Sequence, residues 1–202
     1  MKNLLMALTL VTSFNALAAK PVKAIAPAEA ATYAIDNNSK LTWLGKKVGG
    51  EHSGTIGIKS GSLKFDDKKL VGGEFEVDMT SIAVSDIKDP EYNGKLVGHL
   101  KSDDFFSVEK NPSATLKIKS AKKEKGNTYN VVGDLTIKGI TNEVTFKADV
   151  TDADKEVSAK AKLVFDRTKF KVEYNSGKIF KSIGDKLIYD DVELNIDLMA
   201  KK

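Results

Sequence analysis

Over most of its length the chain alternates apolar and polar residues with a period of two, and that feature restricts it to β-structure. Between Glu74 and Met79, the residues Phe75, Val77 and Met79 alternate with Glu74, Glu76 and Asp78. Successive side chains of a strand point to opposite faces, so one face is apolar and the other acidic. The pattern recurs in Val144, Phe146, Ala148 and Val150, and in Val157, Ala159, Ala161, Leu163 and Phe165, where Val164 is the apolar exception. It recurs again in Val192, Leu194, Ile196 and Leu198, and more briefly in Leu116 with Ile118 and Leu135 with Ile137.

Turn signals lie between these runs at Gly49-Gly50, Ser60-Gly61, Asp66-Asp67, Gly72-Gly73, Gly126-Asn127 and Asp152 to Asp154. Together they predict about eight or nine strands, most of about 6 to 11 residues. A strand with one apolar and one charged face suits an antiparallel sheet that is wet on a single side. Such strands close into a sandwich or a barrel. The outward charges and the lack of paired cysteines fit a barrel at least as well.

Two stretches break the alternation. Within Ser85 to Phe106, Asp89-Pro90-Glu91 reads as an N-cap, a first-turn proline and a first-turn acid. It predicts a short helix near residues 88–101, with Tyr92, Leu96, His99 and Leu100 on one face; Gly94 and Gly98 weaken it. The stretch from Asn175 to Lys186 is irregular. Both are candidate lids at a barrel mouth.

Composition narrows the chemistry. The 202 residues include no cysteine, which removes disulfides, thiolate metal sites and cysteine nucleophiles together. A net charge of +4 comes from interspersed charges of both signs, as on a solvated surface, and not from a nucleic-acid stripe. The two histidines, His52 and His99, are 47 positions apart, unlike a local metal-binding pair. Each suits a structural hydrogen bond or a polar ligand head group. There is no G-x-S-x-G elbow and no glycine-rich phosphate loop. No cofactor, metal or nucleic-acid partner is expected, and a binding module is favoured over an enzyme.

Residues 1–18 read as a secretory signal: Lys2 is the basic n-region, Leu4 to Phe14 the apolar run, and Ala16-Leu17-Ala18 the cleavage site. Residues 19–31, rich in Ala and Pro, read as a flexible leader, and 32–202 as the folded domain. No stretch is long and apolar enough for a membrane span. The expected location is outside the cytoplasm, in the periplasm.

Five blocks then carry a resemblance. They are Trp43-Leu44-Gly45-Lys46-Lys47-Val48-Gly49-Gly50-Glu51-His52-Ser53-Gly54; His99-Leu100-Lys101-Ser102-Asp103-Asp104-Phe105-Phe106 followed by Glu109-Lys110-Asn111-Pro112; Gly133 to Thr141; Asp166-Arg167-Thr168-Lys169-Phe170; and Gly184 to Asp190. In this order they resemble the YceI-like family of exported, lipocalin-like proteins. The likeness covers roughly Thr32 to Leu198. Leu41-Thr42-Trp43 lacks the glycine of the lipocalin G-x-W signature, so kinship to true lipocalins is one of shape.

The resemblance implies an all-β, antiparallel, lipocalin-like barrel of about eight strands with an apolar tunnel. It implies binding of polyisoprenoids, isoprenoid quinones or similar long-chain amphiphiles for carriage, storage or scavenging, without an established enzymatic activity. It also allows a homodimer. Trp43, Phe105 and Phe106 match apolar contact positions, and His52, His99, Lys101 and Arg167 match polar ones that would meet a head group or brace the barrel. On the inner strand faces Phe75, Val77 and Phe146 join this expected lining, while Ala148, Ala159 and Ala161 leave room beside them. Two other readings stand beside it: a lipid-modifying enzyme using His99 with a nearby carboxylate, and a solid-core barrel with no ligand.

Overall fold

The structure, a computed structural model, describes residues 30–153, 155–181 and 184–202. The signal sequence expected over 1–18 and all but the end of the leader lie outside the described residues. Strands run β1 (Ala31–Ile35), β2 (Lys40–Lys47), β3 (Gly50–Asp66) and β4 (Lys69–Val84). Helix α1 (Pro90–Lys101) follows, then β5 (Ser113–Lys123), β6 (Thr128–Ile137), β7 (Ile140–Ala153), β8 (Glu156–Asp166) and β9 (Ile188–Lys201). Between β8 and β9 lie two 3-10 turns, Arg167–Phe170 and Gly184–Lys186. Among the described residues strand pairing begins at Ala31, opposite Phe65.

The sheet order is β3-β2-β9-β8-β7-β6-β5-β4, and β4 pairs back to β3, so the sheet closes with every neighbour antiparallel. β1 pairs with β3 and β9 beyond the end of β2. β1 and β2 run the same way along β3 and share one barrel position, so nine strands make an eight-position barrel. The break between them is stitched to β9. Asp36 N–H donates to Met199 O at 2.7 Å, and the Ser39 hydroxyl both donates to Met199 O and accepts from Met199 N–H. Among the described residues closure leaves no long unpaired edge.

The strands exceed the expected lengths: β3 has 17 residues and β4 has 16. Ser60-Gly61 and Gly72-Gly73, read as turns from sequence, lie inside them. The reason is crowding at the closure. A Cβ on Gly61 would sit 2.6 Å from Phe75 Cδ1, and one on Gly73 2.7 Å from the Ser62 carbonyl oxygen. These glycines permit close approach and sharp bending of paired strands, and register shifts fall nearby between Thr55 and Gly57 and between Ile58 and Ser60. Asp66-Asp67 does form the β3–β4 turn, with Asp67 and Lys68 both at positive φ.

The insertion between β4 and β5 is helical where expected. The Asp89 carboxylate accepts from Glu91 N–H at 2.9 Å and Tyr92 N–H at 3.0 Å. The Asn93 amide donates to Val84 O and Ile87 O and so ties the helix to the end of β4. Leu96 and Leu100 turn inward, but Tyr92 is 64% exposed, because the helix meets the barrel mainly through its C-terminal half.

Candidate ligand-binding cavity

Antiparallel connectivity sorts the connections between two ends. The β2–β3 and β6–β7 turns, the α1 insertion and the 167–187 segment share one end; the β3–β4, β5–β6 and β7–β8 turns share the other. The second end is solid. Tyr33 stacks edge-on to Phe65 at 5.3 Å, and Leu63, Tyr129, Val131, Val157 and Ala200 are fully buried with them.

Toward the insertion end the same inward positions are only half-buried. Trp43, Ile56, Ile58, Phe75, Val77, Leu194 and Ile196 face the interior, yet keep accessible surface because they border a void. The cavity has a volume of about 220 Å³. Its wall is almost wholly apolar, and Phe146, Phe105 and Phe106 belong to it. Ala148, Ala159 and Ala161 are on the wall as the sequence suggested, where small side chains leave space that Leu or Phe would fill.

The polar lining is concentrated at the insertion end, where Lys46, Lys47, His52, Arg167 and Tyr189 stand at the rim. His52 Nδ1 lies 2.8 Å from Asp86 Oδ2, and Asp86 Oδ1 accepts from Ser53 N–H at 2.9 Å. Burial pushes the Asp86 carboxyl upward, but the hydrogen bonds from Ser53 and His52 outweigh it and hold the pKa below its ordinary value.

Arg167 is 2% exposed. Its guanidinium donates to the carbonyl oxygens of Val172 at 2.8 Å, Ile188 at 3.0 Å and Tyr189 at 3.2 Å. It also faces Asp190 Oδ1 at 3.4 Å, an ion-pair contact that is too loose to satisfy that oxygen; Asp190 Oδ1 is buried with no hydrogen-bond partner among the described residues. Burial lowers the Arg167 pKa, with Asp190 and Asp166 acting in the opposite direction. Of the two expected roles, Arg167 therefore braces the 167–187 segment against the start of β9 while presenting one side to the cavity.

The cavity brings together Trp43, His52, Phe75, Val77, Phe105, Phe106, Phe146 and Arg167. His99 and Lys101 are corrections: neither lines it. Leu96 and Leu100 occupy the cavity-facing side of α1, and at about 100° per residue the positions flanking Leu100 turn away. His99 Nε2 instead lies 3.1 Å from Asp104 Oδ2, and its ring meets Phe105 at 4.9 Å and Tyr174 at 4.6 Å, both edge-on. It links the two insertions. A carboxylate is thus in reach of His99, but the cavity is not; the histidine–carboxylate pair on the cavity rim is His52–Asp86. Ile56, Ile58, Ile188 and Tyr189 also line the cavity without having been singled out. The alternation Ile56-Gly57-Ile58 was available as a signal, but glycine-rich surroundings masked it. Among the described residues no three His, Asp or Glu side chains converge to hold a metal ion, and no helix is long and apolar enough to cross a membrane.

A closed antiparallel barrel with one helical insertion and an apolar cavity below a polar rim defines a lipocalin-like barrel. Residues 33–200 match the profile of the YceI-like domain, and the chain belongs to that family. It is 32% identical over 133 residues to a UPF0312 protein of Photorhabdus laumondii, and 31% identical over 127 residues to protein YceI of Escherichia coli. These alignments cover 63% and 60% of this chain, and 65% and 62% of the relatives' own lengths. Among solved structures it is similar to BcnA of Burkholderia cenocepacia, with a TM-score of 0.66, 25% identity and coverage of 83% of this chain and 99% of that one. It is also similar in fold to a polyisoprenoid-binding domain from Saccharophagus degradans, with a TM-score of 0.62, 14% identity and coverage of 84% and 97%.

Proposed function

We propose that the protein is an exported carrier or scavenger that holds one long apolar amphiphile, of polyisoprenoid or isoprenoid-quinone type, with its tail in the barrel and its head at the rim. The observation that carries this reading is the split of the interior: apolar walls around a void, with cationic and hydrogen-bonding side chains concentrated at one end. The fold it shares with a domain described as polyisoprenoid-binding supports the same ligand class. The half-buried inner wall weighs against a solid-core barrel, and the outward placement of His99 weighs against catalysis by that residue.

Cavity depth sets the tail length in this reading. A buried methylene contributes about 0.8 kcal/mol, so one five-carbon unit gives roughly 4 kcal/mol. Eight units would give roughly 32 kcal/mol on the same scale, beyond the practical ceiling of about 18 to 21 kcal/mol. A long tail is therefore not buried throughout at full value, and selectivity falls to the part the barrel encloses.

Native mass spectrometry of the protein purified from its own cells tests the reading, followed by titration of the delipidated protein with prenyl alcohols, quinones and fatty acids. One bound lipid per barrel is expected. No co-purifying lipid together with no binding across the panel overturns it. Export is tested by fractionation: the expected mature form starts near Ala19 and is released with the periplasmic contents, and a cytoplasmic chain retaining Met1 would contradict it.

A further inference from the structure

We infer that His52 reads the ligand head with Asp86 as its positioning residue, and that the rim selects a neutral head carrying a hydroxyl donor, as in a prenyl alcohol or a hydroquinone, over its acceptor-only counterpart. The inference rests on the carrier reading and assigns the head that goes with the tail.

Strand register brings His52 to the cavity. Between β2 and β3, Trp43 stands opposite Gly54 and Gly45 opposite His52, so all four share the inner face. Gly45 leaves space beside the ring. A Cβ built there would have Trp43 Cζ3, at 4.0 Å, as its nearest contact beyond the adjoining residues.

Asp86 decides what the ring offers. Burial works against its ionisation, but the hydrogen bonds from Ser53 and His52 keep its pKa below the ordinary value. A carboxylate accepts and does not donate, so in the neutral imidazole the proton sits on Nδ1, 2.8 Å from Asp86 Oδ2. Nε2 is then a bare lone pair, and no group among the described residues bonds to it. A ligand hydroxyl supplies the missing donor; an ether or quinone oxygen does not.

The charges around the mouth leave no excess for an anionic head. Lys46, Lys47 and Arg167 are the cations of the lining. Lys46 bonds Glu193 at 3.1 Å and lies across from Glu51, while Arg167 gives its donors to three carbonyl oxygens and faces Asp190. Lys178, farther along the segment, is taken by Asp166 at 2.6 Å. With Asp86 included, the carboxylates at least balance these cations.

The test uses ligands that share a tail and differ in the head: geranylgeraniol with its methyl ether, and a prenylated hydroquinone kept reduced under argon with its quinone. Delipidated protein is titrated at about pH 8, where an imidazole is ordinarily neutral. The parent chain should bind each hydroxyl ligand roughly five- to tenfold tighter than its counterpart. H52F should level each pair by weakening the hydroxyl ligand. D86N should level them from the other side. Its amide oxygen keeps the bond from Ser53 N–H, so its amide nitrogen donates to His52 Nδ1 and the ring proton moves to Nε2. Ether and quinone oxygens then meet a donor, and their affinity should rise. A residue that only braced the rim would weaken both members of a pair alike. Nitrogen-15 NMR of the imidazole, recorded without ligand, should place the proton on Nδ1 in the parent and on Nε2 in D86N. Equal affinities within each pair for the parent overturn the inference and leave the carrier reading standing. So does a ring proton on Nε2 in the parent, or a prenyl phosphate or fatty acid held tighter than the alcohol by parent and H52F alike. No binding by any ligand overturns the carrier reading and this inference with it.

Discussion

The indole N–H of Trp43 donates to the carbonyl oxygen of Ala83 at 3.1 Å, reaching from β2 to β4 across the intervening strand β3. The crossing is possible because Trp43 stands opposite Gly54. A Cβ on Gly54 would lie 1.8 Å from Ala83 O and 2.8 Å from Trp43 Nε1. Gly54→Ala should therefore destabilise the fold by about 3 kcal/mol or more, since backbone must move. Trp43→Phe keeps most of the apolar contact and loses the hydrogen bond, costing about 1 to 2 kcal/mol. Urea denaturation orders the two variants, and a Gly54→Ala protein as stable as the parent would show that β3 and β4 are not held this closely.

The strands were legible in the sequence because alternation reports directly on which side of a strand is buried, whereas the choice of a barrel over a sandwich came from the family resemblance. Val157 to Phe165 and Val192 to Leu198 fall on the inner face as their spacing requires. The glycines misled because the same residue serves turns and close strand contacts; Gly61 and Gly73 answer to Phe75 and Ser62, which are distant in sequence. The aromatic and aliphatic wall was readable for the same reason as the strands. The rim was not. His99 lies one residue from cavity-lining Leu100, and only the angular position on α1 decides that Leu100 faces in while His99 meets Tyr174. Tyr174 belongs to an irregular segment with no period to read.

Arg167 makes the 167–187 segment part of the barrel. Replacing it by Met removes donors to three carbonyl oxygens and leaves the Asp190 carboxylate with only Lys178 at 3.7 Å. Breaking one side of a buried ion pair typically costs about 3 to 5 kcal/mol. Arg167→Met should lose stability in that range, and Arg167→Met with Asp190→Asn should recover part of it. Denaturation of both variants checks this. A single variant that loses less than about 1 kcal/mol would contradict the brace.

Asp86 gives the rim an acid-sensitive element. Its folded pKa lies below the ordinary 3.8, so its contribution is fully present above that value and is lost as pH falls through the folded pKa. With the side chain 30% exposed, that contribution is about 1 kcal/mol. The parent chain should exceed Asp86→Asn in stability by this amount at neutral pH, and the gap should close below the ordinary carboxylate range. Melting temperatures followed against pH measure it. A gap that widens in acid would reverse the assigned direction.

Ala161 tests whether the void is the binding site. It stands on the cavity wall, opposite Ala148 on β7 and Ile196 on β9, and is only half-buried. Adding a phenyl ring at a packed core position forces neighbours aside and costs about 1 to 3 kcal/mol. Here the ring enters existing space, and the apolar surface it buries offsets the strain, so Ala161→Phe should unfold within about 1 kcal/mol of the parent. Its effect belongs to the ligand instead. The ring takes up volume that a tail would occupy, so affinity for a long prenyl or acyl ligand should fall by about tenfold or more, equivalent to losing about two buried methylenes. Ligands with short tails that end before Ala161 should bind nearly as before. Competition titrations on delipidated protein with a series of tail lengths separate the two cases. A uniform loss across all lengths would place the defect in the fold, and an unchanged series would place the tail outside the barrel.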